Sequence, residues 1–249
     1  MPSTLVAFHK AAVSATLLPL AVVADPHVSY SGNDLTVPVL NQLVAALVLG
    51  NAPLQAQLQS PSLRRTIQED IPAMIATETA VGADTVLHDR RSNPLSLDVS
   101  EKLNACTVHT LDGWCFVWLA DKAIEPVRGE IHTVKCTTGH TTAGDAWQNV
   151  ALTLGQTLPA GRYQIVGMRA VGTNLLAARL VLIGDSWRPG VPAGASVNSN
   201  EPEQFMHGNF GVMGEFEFDQ PPSVDLIGTG VTAAEEIYLD LIQVRAGRA

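Results

Sequence analysis

The stretch from Leu158 to Asp185 constrains the fold more than any other part of the chain. It contains two long apolar segments, Tyr163–Val171 and Leu175–Ile183, separated by Gly172-Thr173-Asn174. We interpret them as two strands joined by a turn, because β-branched and aromatic residues favour strands while glycine and asparagine favour turns. Neither face of either strand is fully polar. This pattern indicates strands that are covered on both sides, as in a sandwich or an assembled shell.

Most of the chain after Pro94 carries a similar strand signal. Short apolar segments recur at intervals of roughly ten residues, separated by Gly, Pro and Asp, which is typical of sandwiches and jelly rolls. The further predicted strands are Leu95–Val99, Cys106–His109, Cys115–Ala120, Glu130–Thr137, Trp147–Leu154, Phe210–Phe218, Val224–Ile227 and Glu236–Val244. We expect Tyr163 to anchor its strand after the Pro-Ala-Gly turn, and residues 187–204 to form a long loop for contact or exposure.

The first 94 residues predict a different organisation. Asp34 is a candidate cap for a helix that runs through the apolar stripe of residues 39–48 and ends at Gly50. A second short helix is predicted from Ser60, with Pro61 at its first helical position. The polar residues 83–94 mark the boundary. The predicted organisation is therefore an N-terminal arm and helical segment, residues 1–94, followed by a β-sandwich domain, residues 95–249.

The apolar run Ala11–Ala24 has two interpretations. It resembles the apolar region of a signal peptide that is cleaved before Asp25, although Pro19 interrupts it. It is also shorter than the ~20 residues that a transmembrane helix needs, so no transmembrane span is predicted. We favour an extended arm that lies on a neighbouring subunit and acts in assembly rather than in folding.

Composition limits the classes of partner. Charged residues make up only 16% of the chain and hydrophobic residues 46%, which indicates either a large core or an exterior partly buried against other subunits. The net charge of −9, without a basic run, argues against direct nucleic-acid binding. Cys106, Cys115 and Cys136 lack the spacing of metal ligands, so we interpret them as buried, reduced thiols, with one disulfide plus a free thiol as the alternative.

Two sets of residues are candidates for a nucleophilic site, and each also has a structural interpretation. Gly184-Asp185-Ser186 follows an apolar strand and resembles the nucleophile block of GDS-type esterases and lipases. No Asp-x-x-His follows it, and His207 is the only downstream histidine, so a turn is the preferred interpretation. Cys115 with His109 or His132 would form a Cys–His pair, but the apolar surroundings of Cys115 favour a core position.

The other candidate sites also have structural explanations. His132, His140 and Asp145 do not have the spacing of a compact metal site. Three alternating carboxylates are compatible with a glycosidase pair, but a solvated sheet face explains them more simply. These carboxylates are Glu215, Glu217 and Asp219. Four tryptophans suggest a sugar-stacking platform, but the first three lie in apolar contexts typical of a core. They are Trp114, Trp118, Trp147 and Trp187. We therefore predict no catalytic, cofactor-binding or metal-binding residues and no enzymatic activity.

The order of these features resembles the coat proteins of tailless icosahedral viruses and phages with jelly-roll shells. The resemblance rests on an N-terminal arm, a polar hinge, the Pro-Ala-Gly-Arg-Tyr strand entry, an Arg-Pro-Gly loop and the closing strand Tyr238–Val244. It implies a mainly β fold, a jelly-roll-like antiparallel β-sandwich with an N-terminal arm and one or two short helices. The β portion is long enough for one jelly roll.

The resemblance also implies a function. The protein would be a non-catalytic capsid subunit that assembles with copies of itself, and with other virion proteins, in the host cytoplasm into a virion. The alternatives are a secreted β-sandwich module that binds a carbohydrate or protein ligand and, less favoured, a GDS-type serine hydrolase.

Overall fold

The chain folds into two compact units with almost no helix. The computed structural model describes residues 2–11, 14–50, 55–63, 71–74, 86–89, 92–109, 112–193 and 211–244. The first unit comprises residues 3–123, and the second comprises residues 124–249 together with residues 1–2. The described residues form nineteen strands and a helical turn at residues 61–63. The fold is thus mainly β, with antiparallel sheets in a sandwich-like arrangement, as the sequence predicted.

The strands of the first unit are β1 Ser3–Ala11, β2 Ser14–Pro19, β3 Ala21–Val22, β4 Tyr30–Ser31, β5 Asp34–Thr36, β6 Gln42–Gly50, β7 Gln55–Gln59, β8 Ile71–Met74, β9 Val86–Asp89, β10 Leu95–Ser96, β11 Lys102–His109 and β12 Asp112–Ala120. The second unit contains β13 His132–Thr138, β14 Gln148–Val150, β15 Leu152–Leu154, β16 Arg162–Val181, β17 Gly190–Pro192, β18 Gly214–Glu217 and β19 Ser223–Val244.

Two six-stranded sheets build the first unit. One has the order β10-β6-β12-β1-β3, with β9 also paired to β6, and the other has the order β4-β5-β11-β7-β8, with β2 also paired to β11. Residues 113–120 of β12 are all buried, so this central strand is covered on both faces. Its neighbours β1 and β6 are also buried over most of their described lengths.

The helix predicted from the stripe at residues 39–48 is wrong, because residues 42–50 form strand β6. Residues 43–48 are apolar at every position and all are buried. Strand β6 lies between β12 on one side and the two short strands β9 and β10 on the other. A strand in this central position needs apolar side chains on both faces, whereas a surface helix needs them on one stripe only. The shorter helix is confirmed at residues 61–63, where Leu63 N donates to Ser60 Oγ at 3.1 Å.

The N-terminal segment is not a separate arm. Strand β1 lies between β12 and β3, and it pairs with β12 over nine residues from Ser3 to Ala11. Strand β2 pairs with β11 in the other sheet. The segment therefore belongs to the core of the first unit, because its apolar side chains find their partners within this unit.

The boundary between the units also differs from the predicted position at residue 94. Strands β11 and β12 follow residue 94 in the sequence, yet they lie in the centres of the two sheets of the first unit. Their partners β1, β2, β6 and β7 all precede residue 94. The compact units consequently divide between Ala123 and Ile124.

A ladder of two long strands organises the second unit. Strand β16 has 20 residues, β19 has 22 residues, and they pair antiparallel along almost their whole length. The seven-stranded sheet has the order β15-β13-β19-β16-β17, with β14 on β19 and β18 on β16. Residues 165–168 and 175–180 of β16 are continuously buried, which confirms that this region is covered on both faces.

The turn predicted at Gly172-Thr173-Asn174 is wrong, because β16 continues through it. The register shifts on both sides of Thr173, and residues 229–232 of β19 bulge between the pairs Thr173–Ala233 and Leu175–Gly228, opposite Asn174. Asn174 has a φ of 61°, and its Nδ2 donates to Val231 O at 3.1 Å. The turn-forming residues thus produce a bulge, which bends the paired strands without reversing the chain. The anchoring role of Tyr163 is confirmed, since its hydroxyl donates to Pro159 O at 2.8 Å.

Candidate functional site

A cleft of about 310 Å³ lies where β18 forms the edge of the second unit's sheet. Its apolar wall consists of Leu182, Ile183, Phe216 and Pro222. Gly214 allows this wall to form, because a Cβ atom there would lie 2.1 Å from Leu182 Cδ1. The wall is partly open to solvent, since Ile183 is 75% exposed.

The polar wall of the cleft has an excess of negative charge. It contains one cation, Arg162, and two anions, Glu215 and Glu217, together with Gln220. Arg162 Nη2 lies 2.6 Å from Glu215 Oε2, and Gln164 Nε2 donates to Glu215 Oε1 at 2.8 Å. Both carboxylate oxygens of Glu215 are thus engaged by neighbouring side chains. Glu217, in contrast, is exposed to solvent at the end of β18.

These contacts engage one of the carboxylates that a glycosidase pair would use. A general acid must deliver a proton to the scissile bond, but the Glu215 oxygens already accept from Arg162 and Gln164. Asp219 lies beyond the end of β18 on an exposed residue. The cleft can accommodate a ligand that combines an apolar part with a positive charge, because it joins an apolar wall to an anionic one.

A polar network lies on one face of the same sheet. Lys135 Nζ contacts Glu236, and the Tyr238 hydroxyl donates to Glu236 Oε2 at 2.5 Å. The Arg169 guanidinium lies 5.4 Å from the centroid of the Tyr238 ring and 3.3 Å from Asp240 Oδ1. Neighbouring strands β13, β19 and β16 each contribute side chains, so the network spans three strands.

Hydrogen bonds within this network shift the pKa values of three groups. The bonds from Lys135 and then from Tyr238 hold the pKa of Glu236 below its usual value. The bond to Glu236 raises the pKa of Lys135 and that of Tyr238. All three groups therefore keep their usual charge states at neutral pH, and the face presents fixed donors, acceptors and one aromatic ring.

A buried carboxylate with a histidine partner lies at the bulge of β19. The Glu235 side chain is fully buried, and His140 Nδ1 lies 2.5 Å from its Oε2 while the His140 side chain is 60% exposed. Thr232 Oγ1 contacts the other oxygen of Glu235. Thr232 Oγ1 also accepts from Thr141 N at 3.0 Å, so the network ties the loop at residues 140–141 to the bulge.

A second buried ion pair joins the two long strands. Arg179 is 1% exposed and its Nε donates to Asp225 Oδ2 at 3.0 Å, in a pair that the register places directly opposite. The Arg179 guanidinium stacks on Trp147 at 4.1 Å from a ring centroid. The half-buried ring of Trp147 is thus in contact with this cation.

Ser186 lies in an exposed turn. Gly184 has a φ of 79°, and Asp185 Oδ1 accepts a hydrogen bond from Trp187 N at 2.9 Å, which closes an Asx turn around Ser186. Among the described residues no hydrogen bond joins Ser186 to a histidine. His207 lies outside the described residues.

We expect Ser186→Ala to leave every activity of the protein unchanged, because Ser186 fills an exposed turn position. The measurement is hydrolysis of short-chain p-nitrophenyl esters by both proteins, with melting curves recorded on the same samples. A loss of ester hydrolysis in a folded Ser186→Ala protein would contradict this expectation.

The three cysteines are buried, and within the described part of the chain none of them forms a disulfide. Burial raises the pKa of the Cys136 thiol to about 12. Burial, with a smaller contribution from nearby Cys106, raises the pKa of Cys115 still further. His109 Nδ1 lies 2.8 Å from Thr107 Oγ1. The structure therefore gives Cys115 a core position and not that of a nucleophile.

The folded protein is expected to resist thiol reagents up to at least pH 9. The thiolate is the reactive form, and a raised pKa keeps the thiols of Cys115 and Cys136 protonated in this range, while Cys106 is only 4% exposed. Titration with 5,5′-dithiobis(2-nitrobenzoic acid), before and after unfolding in guanidinium chloride, measures the number of reactive thiols in the native and the unfolded protein. Reaction of even one thiol in the native protein at pH 8 would contradict the burial of these residues.

The remaining predicted groups are not brought together. His132 is exposed and its Nε2 lies 3.9 Å from Glu130 Oε1, whereas His140 contacts Glu235. Within the described ranges, no three His, Cys, Asp or Glu side chains are grouped so that they could hold a metal ion. Trp114 and Trp118 are each 2% exposed, so they lie in the core, as predicted.

Sequence reasoning missed the buried charges and the cleft. Arg179 and Asp225 each interrupt an apolar strand segment, and this signal was present in the sequence. The pairing of His140 with Glu235 joins residues 95 positions apart, and no local pattern reveals it. The cleft depends on strand β18 pairing with the beginning of β16.

Comparisons with known proteins do not assign this chain to a family. No protein-family model, curated protein or solved structure matches this chain. In the part of the chain that the structure describes, no helix is long and apolar enough to cross a membrane.

Proposed function

We propose that this protein is a structural subunit that assembles with copies of itself into the shell of a virus, as a capsid protein. The observation that carries the proposal is a set of large apolar side chains exposed on both β units. Monomeric proteins expose single apolar residues routinely, whereas grouped ones mark contact surfaces. Exposed apolar side chains that lie next to one another are therefore the ones that support a contact surface.

An exposed valine pair lies on the first unit. Ser100 N donates to Val37 O at 2.9 Å and Leu97 N donates to Asn41 O at 2.9 Å, so the two segments run side by side. These bonds place Val39, which is 66% exposed, opposite Val99, which is 50% exposed. Two β-branched side chains at adjacent positions of an open surface are well suited to pack against another copy.

Large apolar side chains are also exposed on the second unit. Ile183 is 75% exposed at the cleft, and Phe218, which is 41% exposed, follows the end of β18. The low content of charged residues, 16%, supports the same proposal, because the centres of subunit interfaces are depleted in charge. Each chain also supplies two β units with their own cores, which serve as rigid building blocks of a shell.

The proposal is tested by the size of the purified protein. We expect light scattering and negative-stain electron microscopy to show discrete particles that contain many copies of the chain. A Val39→Asp, Val99→Asp double variant is expected to lose these particles while keeping its melting temperature, because both side chains are exposed. Ser31→Asp, at an exposed polar position, is the matched control. A monodisperse monomer at high concentration would refute the proposal.

A secreted binding module for carbohydrate is the second candidate. The polar network on the sheet face supports it, since the Tyr238 ring and the fixed carboxylates of Glu236 and Asp240 resemble the groups that hold sugar rings. Glycan-array binding that is lost in Tyr238→Ala, together with a monomeric state, would favour this function over the shell.

A further inference from the structure

The cleft beside β18 has an anionic wall that the described cations only partly neutralise. Arg162 offsets Glu215, with which it forms a 2.6 Å ion pair. Glu217 adds a second carboxylate to the lining, and Asp219 follows two residues later. The cleft also has an apolar wall built around Leu182 and Phe216. An alkyl chain that ends in a positive charge satisfies both walls, and lysine and arginine side chains have this chemistry.

The end of strand β19 lies next to this cleft. Arg162 pairs with Val244 of β19 on one side and with Glu217 of β18 on the other. Residues that are directly opposite in an antiparallel sheet share a face, so these three residues form one row that ends in the cleft. The described part of β19 therefore ends two strand spacings from Glu217, a distance of roughly 10 Å.

The sequence that follows Val244 is positively charged, as a ligand of the anionic wall must be. Residues 245–249 read Arg-Ala-Gly-Arg-Ala and contain two arginines and no acidic residue. Five extended residues span at most about 16–18 Å, which exceeds the roughly 10 Å to Glu217. Ala246 and Gly247, which separate the two arginines, add little bulk, so the segment can follow the sheet edge closely.

The geometry points to the cleft as a binding site for this basic segment: residues 245–249 of the same chain dock beside β18, with an arginine side chain between the apolar wall and Glu217. This inference is independent of shell assembly, because it concerns a contact within one chain. It assigns a role to the excess negative charge of the cleft and to the edge of β18 with which no other described strand pairs.

Disulfide trapping in the full-length protein tests the inference. Gln220→Cys places a thiol on the cleft lining and Ala249→Cys places one on the basic segment, while the three native cysteines are buried. Under mild oxidation we expect a disulfide within one chain, detected as a faster-migrating band. Because tethering raises the effective concentration, it should form at least about tenfold faster than the control pair.

The control pair is Thr137→Cys with Ala249→Cys. Thr137 is exposed on the same sheet, but it pairs with Glu236, roughly 25 Å from Val244 along β19, which is beyond the reach of the segment. In the Gln220→Cys background, Glu217→Gln or Arg248→Ala should slow trapping about two- to fivefold each, as expected for a partly exposed charge pair. Glu130→Gln, at a side chain that is 87% exposed, should leave the rate unchanged.

Two results would overturn the inference. One is a trapping rate no faster than that of the Thr137 control, and the other is trapping that occurs only between chains. If Gln220→Cys does not fold, Ile183→Cys replaces it, because Ile183 also lines the cleft and is 75% exposed. Particle size, measured on the Gln220→Cys variants, which keep Ile183 of the proposed assembly surface unchanged, reports on shell assembly separately, so failure of one proposal does not imply failure of the other.

Discussion

Deletion of Met1–Ala24 is expected to unfold the first unit of the protein. The deletion removes β1, which lies between β12 and β3 and pairs with β12 over nine residues. Leu5, Val6 and Phe8 are each at most 1% exposed, and their burial contributes roughly 5–9 kcal/mol. This sum is comparable to the entire stability of a typical domain, about 5–15 kcal/mol.

Circular dichroism and size-exclusion chromatography on full-length and truncated protein measure this effect. Val6→Pro provides a smaller perturbation of the same strand, because proline disrupts the hydrogen bonding of an interior strand. Lys10→Ala, at a partly exposed position near the end of β1, is the matched control and should melt like the native protein. If the truncated protein still melts cooperatively at the native temperature, the segment is an assembly arm and not a core strand.

Several strands after residue 94 were predictable because they are short and bounded by turn residues. The segments around Cys115 and Val134 combine apolar side chains with flanking polar or glycine residues, and both form strands. Boundaries were less predictable where two strands bulge together, as at Thr173 and its partner Ala233. There the turn-forming residues of one strand are accommodated by an irregularity in the other.

The N-terminal sheets were not predictable for a different reason. Residues 43–48 of β6 are apolar at every position, and a continuous apolar run fits a helical stripe as well as a buried strand. Only the pairing with β12, about 70 residues later in the sequence, selects the strand. The same limit applies to the site, since the contact of Arg162 with Glu215 depends on β18 reaching β16.

Replacement of Trp118 by alanine is expected to destabilise the first unit by about 3–5 kcal/mol, the usual cost of truncating a buried aromatic residue. Trp118 is 2% exposed on the central strand β12, where it lies opposite Leu5 of β1 and Ala45 of β6. Neighbouring strands on both sides restrict collapse of the cavity, so the lost contacts are not replaced.

The expected result is a fall in melting temperature of roughly 10 °C or more, or loss of soluble expression. Differential scanning calorimetry of Trp118→Ala measures it, with Trp187→Ala as the matched control because Trp187 is only partly buried in the turn after β16. A melting curve of Trp118→Ala that superimposes on the native curve would place Trp118 on an accessible surface. That result would favour a sugar-binding platform built from Trp114 and Trp118 over the core position that the burial of both side chains indicates.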